Sequence, residues 1–288
     1  MRSFLFVPAD SSRKIAKSLD TEADALILDL EDAVAPQRKE VARALAREAL
    51  QRERCGKRLF VRVNAFDTGL LPQDLAAVMA GRPDGIVLPK CAGGAEVRRL
   101  AHMLDGVEAA LALPSGGTRI VAVATETAQA VLSMASYQGC SERLWGLMWG
   151  AEDLAGVLGA STNRDAGAYR SPFRLARDLC LLGAAAAGVA AIDAVFTDVN
   201  DTAGLRAETV QARMDGFQAK AAIHPAQCVA IHEALTPSPA EQAWARAALD
   251  ALAHSADGVA LLDGRMLDRP HEVQARRILA RAGQPAGG

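Results

Sequence analysis

The chain has 288 residues, half of them apolar, and sets 32 Lys and Arg against 34 Asp and Glu for a formal net charge of −2. That composition supports a large buried core and excludes a disordered polyelectrolyte. No basic excess exists and aromatics are limited to 7 Phe, 3 Trp and 2 Tyr, which excludes the phosphate-tracking and base-stacking surfaces of nucleic-acid binders.

In chain order, short apolar runs lie at 4–7, 25–28, 59–63, 85–88, 120–124, 144–149, 192–196 and 221–223. Between them, stretches with helical spacing occupy 36–50, 71–79, 95–104, 127–136, 173–187 and 209–217. The first of these opens on Ala35-Pro36 and spaces Val41, Leu45 and Leu50 among Arg and Glu residues, a pattern of one apolar helix face. Uninterrupted apolar runs alternating with helices predict parallel strands covered on both faces. Eight of them predict a closed (β/α)8 TIM barrel, whose usual size is about 250 residues. An open doubly wound sheet is the alternative, but no Gly-x-Gly-x-x-Gly opens any of these helices.

After the eighth run, Thr236-Pro237-Ser238-Pro239 breaks the chain before a helix over 240–253, a short hairpin or turn over 258–267 and a last helix over 270–282. A frayed tail is expected over 283–288. Residues 1–235 therefore read as a catalytic barrel and 236–288 as a C-terminal helical extension. The extension is too small for a core of its own and is expected to pack on the barrel or on a neighbouring subunit.

Cys55, Cys91, Cys140, Cys180 and Cys228 are scattered and never form a Cys-x-x-Cys pair, which suits reduced thiols in a cytoplasmic protein. The opening apolar run is too short for a signal-peptide core. The most apolar stretch, 179–192, falls short of the roughly 20 residues that span a bilayer, so no membrane is expected.

In a parallel barrel the active site forms where strands end. The polar residues there are Asp29, Glu31 and Asp32 after the second run, Arg62 and Asn64 at the third, Lys90 after the fourth and Glu126 after the fifth. Glu152 and Asp153 follow the sixth, Asp198 and Asp201 the seventh, and His224 the eighth. Carboxylates from several strands facing one Arg and one Lys make a site for a hard cation, Mg²⁺ or Mn²⁺, with an anionic substrate.

Glu126 and Asp153 each follow a nearly uncharged strand, where a lone carboxylate is costly and a divalent cation would offset the cost. As simple helix-start acids they would instead complement a dipole. Arg62, inside Phe60-Val61-Arg62-Val63-Asn64, needs an anion partner, which a ligand carboxylate or phosphate would supply. His224 has no second His at zinc spacing and reads as a hydrogen-bonded structural residue. Trp145 and Trp149 bracket the sixth run as packing residues. Lys90, and Lys220 just before the eighth run, are either Schiff-base lysines or members of ion pairs.

Six segments, 2–8, 28–34, 60–64, 150–154, 223–227 and 264–271, resemble the citrate lyase β-subunit-like branch of the HpcH/HpaI aldolases. These are CoA-ester lyases that include malyl-CoA and citramalyl-CoA lyases. The most specific of them are Leu28-Asp-Leu-Glu-Asp-Ala-Val34 and Gly150-Ala-Glu-Asp-Leu154. The resemblance implies a barrel whose Mg²⁺ is held by Glu126 and Asp153, with Arg62 on the substrate carboxylate or carbonyl and Asp29, Glu31 and Asp32 supporting the metal's water shell. It further implies that Asp268 is an acid delivered by the C-terminal segment of an adjacent subunit in a homotrimer or dimer of trimers. Arg13, with Lys14, would meet the phosphates of CoA, which enters as part of the substrate. The family usually has Gly where this chain has Ala9 and Ala219, each adding a methyl where backbone approaches ligand.

The activity implied is cleavage or condensation of a 3-hydroxyacyl thioester, such as citryl-, malyl- or citramalyl-CoA, into a 2-oxo acid and an acyl-CoA. The alternatives are a Schiff-base aldolase and a non-catalytic CoA- or acyl-carrier-binding subunit of a citrate lyase complex.

Overall fold

The structure, a computed structural model, describes residues 1–255 and 257–283. Strand and helix alternate in order: β1 (Ser3–Pro8), α1 (Ser12–Leu19), β2 (Ala25–Asp29), α2 (Lys39–Leu50), β3 (Arg58–Arg62), α3 (Leu71–Val78), β4 (Gly85–Leu88), α4 (Gly94–Ala110), β5 (Arg119–Val123) and α5 (Ala128–Leu132). There follow β6 (Leu144–Met148), α6 (Glu152–Leu158), the short strands β7 (Arg164–Asp165) and β8 (Ala168–Tyr169), α7 (Ser171–Ala187), β9 (Ala190–Asp193), α8 (Thr202–Asp215), β10 (Ala219–Ala222) and α9 (Gln227–Leu235). The chain continues through α10 (Pro239–Ala253), β11 (Ala260–Leu262), β12 (Arg265–Leu267) and α11 (Arg269–Arg281).

Eight strands close into one parallel barrel in the order β1-β10-β9-β6-β5-β4-β3-β2, the (β/α)8 arrangement that the alternating runs predict. One face of each strand points inward: Phe4, Ala25, Ile27, Phe60, Val87, Val121, Val123, Met148, Ile192, Ala219 and Ala221 form one buried cluster. Their neighbours in sequence, among them Leu26, Leu28, Val61, Ile86 and Leu147, are buried on the outer face. Burial on both faces is what turns the sequence signal into uninterrupted apolar runs rather than alternation.

Size matching fills the interior. A Cβ on Gly85 would lie 2.5 Å from the Phe60 ring, so glycine makes room for that side chain. Between β5 and β6 the register slips, Ile120 pairing with Leu144 but Val121 with Gly146. This irregularity gives β6 an extra residue, and Trp145 packs against Phe4 and Phe60 at centroid distances of 5.5 and 6.4 Å.

Several elements differ from the sequence expectation. The helix expected over 127–136 is a five-residue α5 followed by a 3-10 turn over Met134–Tyr137. Ser136 Oγ donates to the Ser133 carbonyl and accepts from Gly94 N–H, a local bonding pattern that competes with continued helix. The run at 192–196 leaves the sheet early, at Asp193, and the last barrel strand begins at Ala219 rather than 221. Lys220 is therefore inside a strand.

The described residues cluster into two compact units, the first ending at Ile231 and the second starting at His232. The second has a small core of Ala245, Ala248, Leu267, Ala275 and Leu279. Its α10 starts as its sequence dictates, with Pro239 in the first turn and a reciprocal cap between Ser238 and Glu241. The expected turn or hairpin is the antiparallel pair β11–β12. From residue 284 on, the expected frayed tail lies outside the described residues.

Candidate active site

The C-terminal ends of the barrel strands surround a cavity of about 350 Å³. Its lining has two characters. Asp29 ending β2, Asp32 beyond it, Arg62 on β3, Glu126 beyond β5 and Glu152 and Asp153 opening α6 are polar; Phe6, Val123, Met148, Trp149, Val195 and Ile223 are apolar.

The polar side is built around Arg62. Its Nε and Nη2 donate to the two oxygens of Asp29 at 2.8 and 2.6 Å, a bidentate fork. Its Nη1 stands 2.9 Å from Glu31 Oε2, and its guanidinium lies 4.8 Å from the Phe6 ring centre. Asp29 also accepts the N–H groups of Glu31 and Ala33, so the turn after β2 folds around the carboxylate that grips Arg62. Burial is the largest single influence and opposes the charge on Arg62, but the Asp29 hydrogen bonds and the charges of Asp29, Glu31 and Glu126 together outweigh it and raise its pKa.

Lys90 closes the other flank. Its Nζ bonds Glu31, lies 3.1 Å from Asp32 Oδ2 and 3.6 Å from Asp153 Oδ1. Its backbone has φ +50°, a left-handed strain that a non-glycine residue carries only where surroundings enforce it. That conformation aims its N–H at Glu126 Oε2, 2.5 Å away. Burial is the largest single influence and opposes protonation of Lys90, yet Glu31, Asp32 and Asp153 together outweigh it and raise its pKa. A Schiff-base lysine needs the reverse shift, so Lys90 is an ion-pair member.

Glu126 is 4% exposed. Burial first, then the charge of nearby Asp153, pushes its carboxyl up to about 8. A buried carboxyl whose ionisation is opposed by a neighbouring carboxylate is what a bound cation relieves. Among the described residues no three Asp, Glu, His or Cys side chains converge as a complete metal cage. The donor set nevertheless fits magnesium, which is held by one or two carboxylates while waters and substrate oxygens fill its other positions.

Other expected residues fall elsewhere. Asn64 turns from the cavity and donates both its N–H and its Nδ2 to buried Asp74, each at 2.7 Å, while Arg43 Nε donates to the other oxygen. Asp198 and Asp201 are corrections: they line a second cavity beside α8, where Asp201 caps that helix through Gly204 N–H. His224 is an exposed turn residue accepting Ala226 N–H. Arg13 and Lys14 sit exposed in the first turn of α1, straight after β1. Asp268 belongs to the second unit, where it starts α11 with its Oδ1 2.6 Å from His271 Nδ1. Ala219 packs in the barrel interior and Ala9 is fully buried with its N–H on Asp29 O.

Lys220 faces outward from β10 with no exposed side-chain surface, 2.6 Å from Asp193 and 2.9 Å from Glu208. This geometry removes it from Schiff-base chemistry in the mouth. Lys220→Met leaves Asp193 buried against a methionine and is expected to cost roughly 3–5 kcal/mol in urea unfolding. Borohydride added with substrate is expected to leave wild-type activity intact.

Trp149 is buried and packs edge-on against Tyr169 with ring centres 4.8 Å apart, as expected. The expectation missed that its Nε1 also donates to Asp193 at 2.6 Å and that the residue lines the cavity. Its place directly before Gly150-Ala151-Glu152-Asp153 was the available signal. Lys39 was also missed: its Nζ donates to the carbonyls of Leu30 and Glu31 and pins the acidic loop.

The sequence model of the HpcH/HpaI aldolase/citrate lyase family matches residues 2–225. The chain belongs to that family. A family relative named (3S)-malyl-CoA thioesterase, from Cereibacter sphaeroides strain ATCC 17029, is 36% identical over 285 residues, covering 98% of this chain and 94% of the relative. The crystal structure of CitE from Mycobacterium tuberculosis in complex with magnesium, acetoacetate and coenzyme A matches with a TM-score of 0.82 at 36% identity, covering 98% of both chains. A further M. tuberculosis structure, of citrate lyase beta subunit with oxaloacetate and magnesium, matches at a TM-score of 0.69 and 36% identity, over 82% of this chain and 96% of that one. No helix among the described residues is long and apolar enough to cross a membrane.

Proposed function

We propose that this chain is a magnesium-dependent carbon–carbon lyase acting on a 3-hydroxyacyl thioester of CoA, such as malyl-, citramalyl- or citryl-CoA. It splits the thioester into a 2-oxo acid and an acyl-CoA, or runs the condensation. The observation that carries this reading is that Glu126, Asp153 and Arg62 line one cavity at the strand ends. Family relatives holding magnesium together with CoA and small oxo acids support it.

Glu126 and Asp153 would hold the magnesium, which when bound polarises the substrate's carboxylate and 3-oxygen. Arg62, fixed by Asp29 and Glu31, provides preorganised positive charge for the substrate carboxylate and the anion that develops beside it. The carboxylates of the mouth supply a base for the hydroxyl proton; the bond between C2 and C3 breaks, and the thioester leaves as its enolate. Asp268, carried by a neighbouring subunit, returns a proton to the enolate carbon. Asp29, Glu31 and Asp32 order water around the metal, and Arg13 and Lys14 meet the CoA phosphates. A homotrimer or dimer of trimers in the cytoplasm, with residues 236–288 packed on the next subunit, completes the reading.

The test is release of 2-oxo acid from those three thioesters by the purified chain, with Mg²⁺ and again with EDTA. Release that EDTA abolishes is the expected result. Free CoA thiol without 2-oxo acid would replace cleavage of the carbon chain by thioester hydrolysis. Thioester binding without turnover would leave a non-catalytic binding subunit.

A further inference from the structure

The cavity's charge inventory bears on which 2-oxo acid it accepts, a question that family membership leaves open because a relative has been crystallised with a dicarboxylic one, oxaloacetate. Asp29, Asp32, Glu126, Glu152 and Asp153 give the lining five carboxylates; among the described residues that line it, Arg62 is the one cation. Arg62 is largely committed. Asp29 takes its Nε and Nη2, while Nη1 stands beside a Glu31 Oε2 that receives no aligned hydrogen bond. This leaves Arg62 donor capacity at Nη1 for one substrate carboxylate, the one that every 2-oxo acid carries. Lys90, behind the lining, is shared among Glu31, Asp32 and Asp153.

The apolar lining residues offer no ionic partner. They are Phe6, Val123, Met148, Trp149, Val195 and Ile223, drawn from β1, β5, β6 and the segments just beyond β6, β9 and β10. The indole N–H of Trp149 is spent on Asp193, itself held by Lys220 at 2.6 Å. Two nearby main-chain donors are likewise used, Gly150 N–H on Thr125 Oγ1 and Ile223 N–H on Gln227 Oε1. The first turn of α6 carries its own acids, Glu152 and Asp153, whose charge offsets the helix dipole there. A second carboxylate on the substrate's 2-oxo fragment would lose water against these apolar side chains and meet like charge from the five carboxylates.

We infer that the cavity selects thioesters whose 2-oxo fragment is a monocarboxylic acid with hydrogen or a short alkyl group on its carbonyl carbon, and rejects dicarboxylic 2-oxo fragments. The inference rests on the lyase reading above. In the favoured reaction the C2–C3 bond of R–C(OH)(COO⁻)–CH₂–CO–SCoA breaks. The hydroxyl proton goes to a base, the electron pair passes to the thioester enolate, and that carbon takes up a proton. The products are R–CO–COO⁻ and acetyl-CoA, with R hydrogen or methyl.

Three thioesters that differ only in R provide the test: malyl-CoA (hydrogen), citramalyl-CoA (methyl) and citryl-CoA (carboxymethyl). With Mg²⁺, kcat/KM for the better of the first two is expected to exceed that for citryl-CoA by about 100-fold or more. Ile223→Arg, which places a cation in the apolar wall, is expected to narrow that ratio at least tenfold. Citryl-CoA turned over within tenfold of citramalyl-CoA would overturn the selection. Calorimetry with pyruvate and oxaloacetate in Mg²⁺ separates this inference from the lyase reading. If none of the three thioesters is cleaved, the lyase reading falls; pyruvate binding more tightly than oxaloacetate would still support the pocket's selection, and the reverse order would overturn it.

Discussion

Glu126→Gln is expected to remove magnesium binding and to lower kcat/KM by about a thousandfold while leaving the protein folded. The amide is nearly isosteric, retains an oxygen for the Lys90 N–H, and removes the cost of burying an ionisable carboxyl beside Asp153. Its effects on chemistry and on stability therefore have opposite signs. Calorimetric titration with Mg²⁺ and urea unfolding in EDTA read the two separately. Full magnesium affinity in this variant would sink the assignment of Glu126.

The same carboxyl sets a pH dependence. Burial and then Asp153 hold it at about 8, above its ordinary 4.5, so the folded metal-free protein binds more protons than the unfolded chain between those values. Stability in EDTA is accordingly expected to fall as pH rises through that window, and magnesium, which must displace the proton, is expected to bind more tightly toward its upper end. Urea midpoints in EDTA at about pH 6 and about pH 8 check the sign. Glu126→Gln should flatten that difference; an unchanged slope would place the titration on another group.

What the sequence disclosed was what periodicity and composition encode. Strands buried on both faces leave uninterrupted runs, so the barrel was legible, and residues that end such runs must lie at one mouth. That logic brought Asp29, Arg62, Glu126 and Asp153 to one cavity. It failed where a residue's direction depends on where a strand stops. Asp198 and Asp201 left the mouth because the strand ends at Asp193 and the chain turns aside to cap α8. Lys220 moved to the outer face because its strand begins two residues earlier than expected, at Ala219, and side chains alternate along it. Trp149 was undervalued because sequence gives no account of where an indole N–H is spent. The strained turn at Lys90 leaves no compositional trace either, since the carboxylates that meet its N–H and Nζ come from three other segments.

Arg62 carries the second large effect, and two substitutions divide its roles. Arg62→Met removes the counter-ion of Asp29, 1% exposed, and one of the two neutralising Glu31, 5% exposed; a loss of roughly 3–5 kcal/mol in urea unfolding is expected, because a buried carboxylate is left without its partner. Arg62→Lys keeps the charge and should recover most of that stability. An ammonium is a compact charge without the planar fork, so it cannot grip both oxygens of Asp29 and still address a substrate carboxylate. For the lysine variant kcat/KM is expected to fall about 100-fold even though the protein is stably folded. The contrast is the informative result: if activity tracked stability across the two variants, Arg62 would be a strut for the turn after β2. A folded but slow lysine variant means that the fork Asp29 holds in place is itself what meets the substrate.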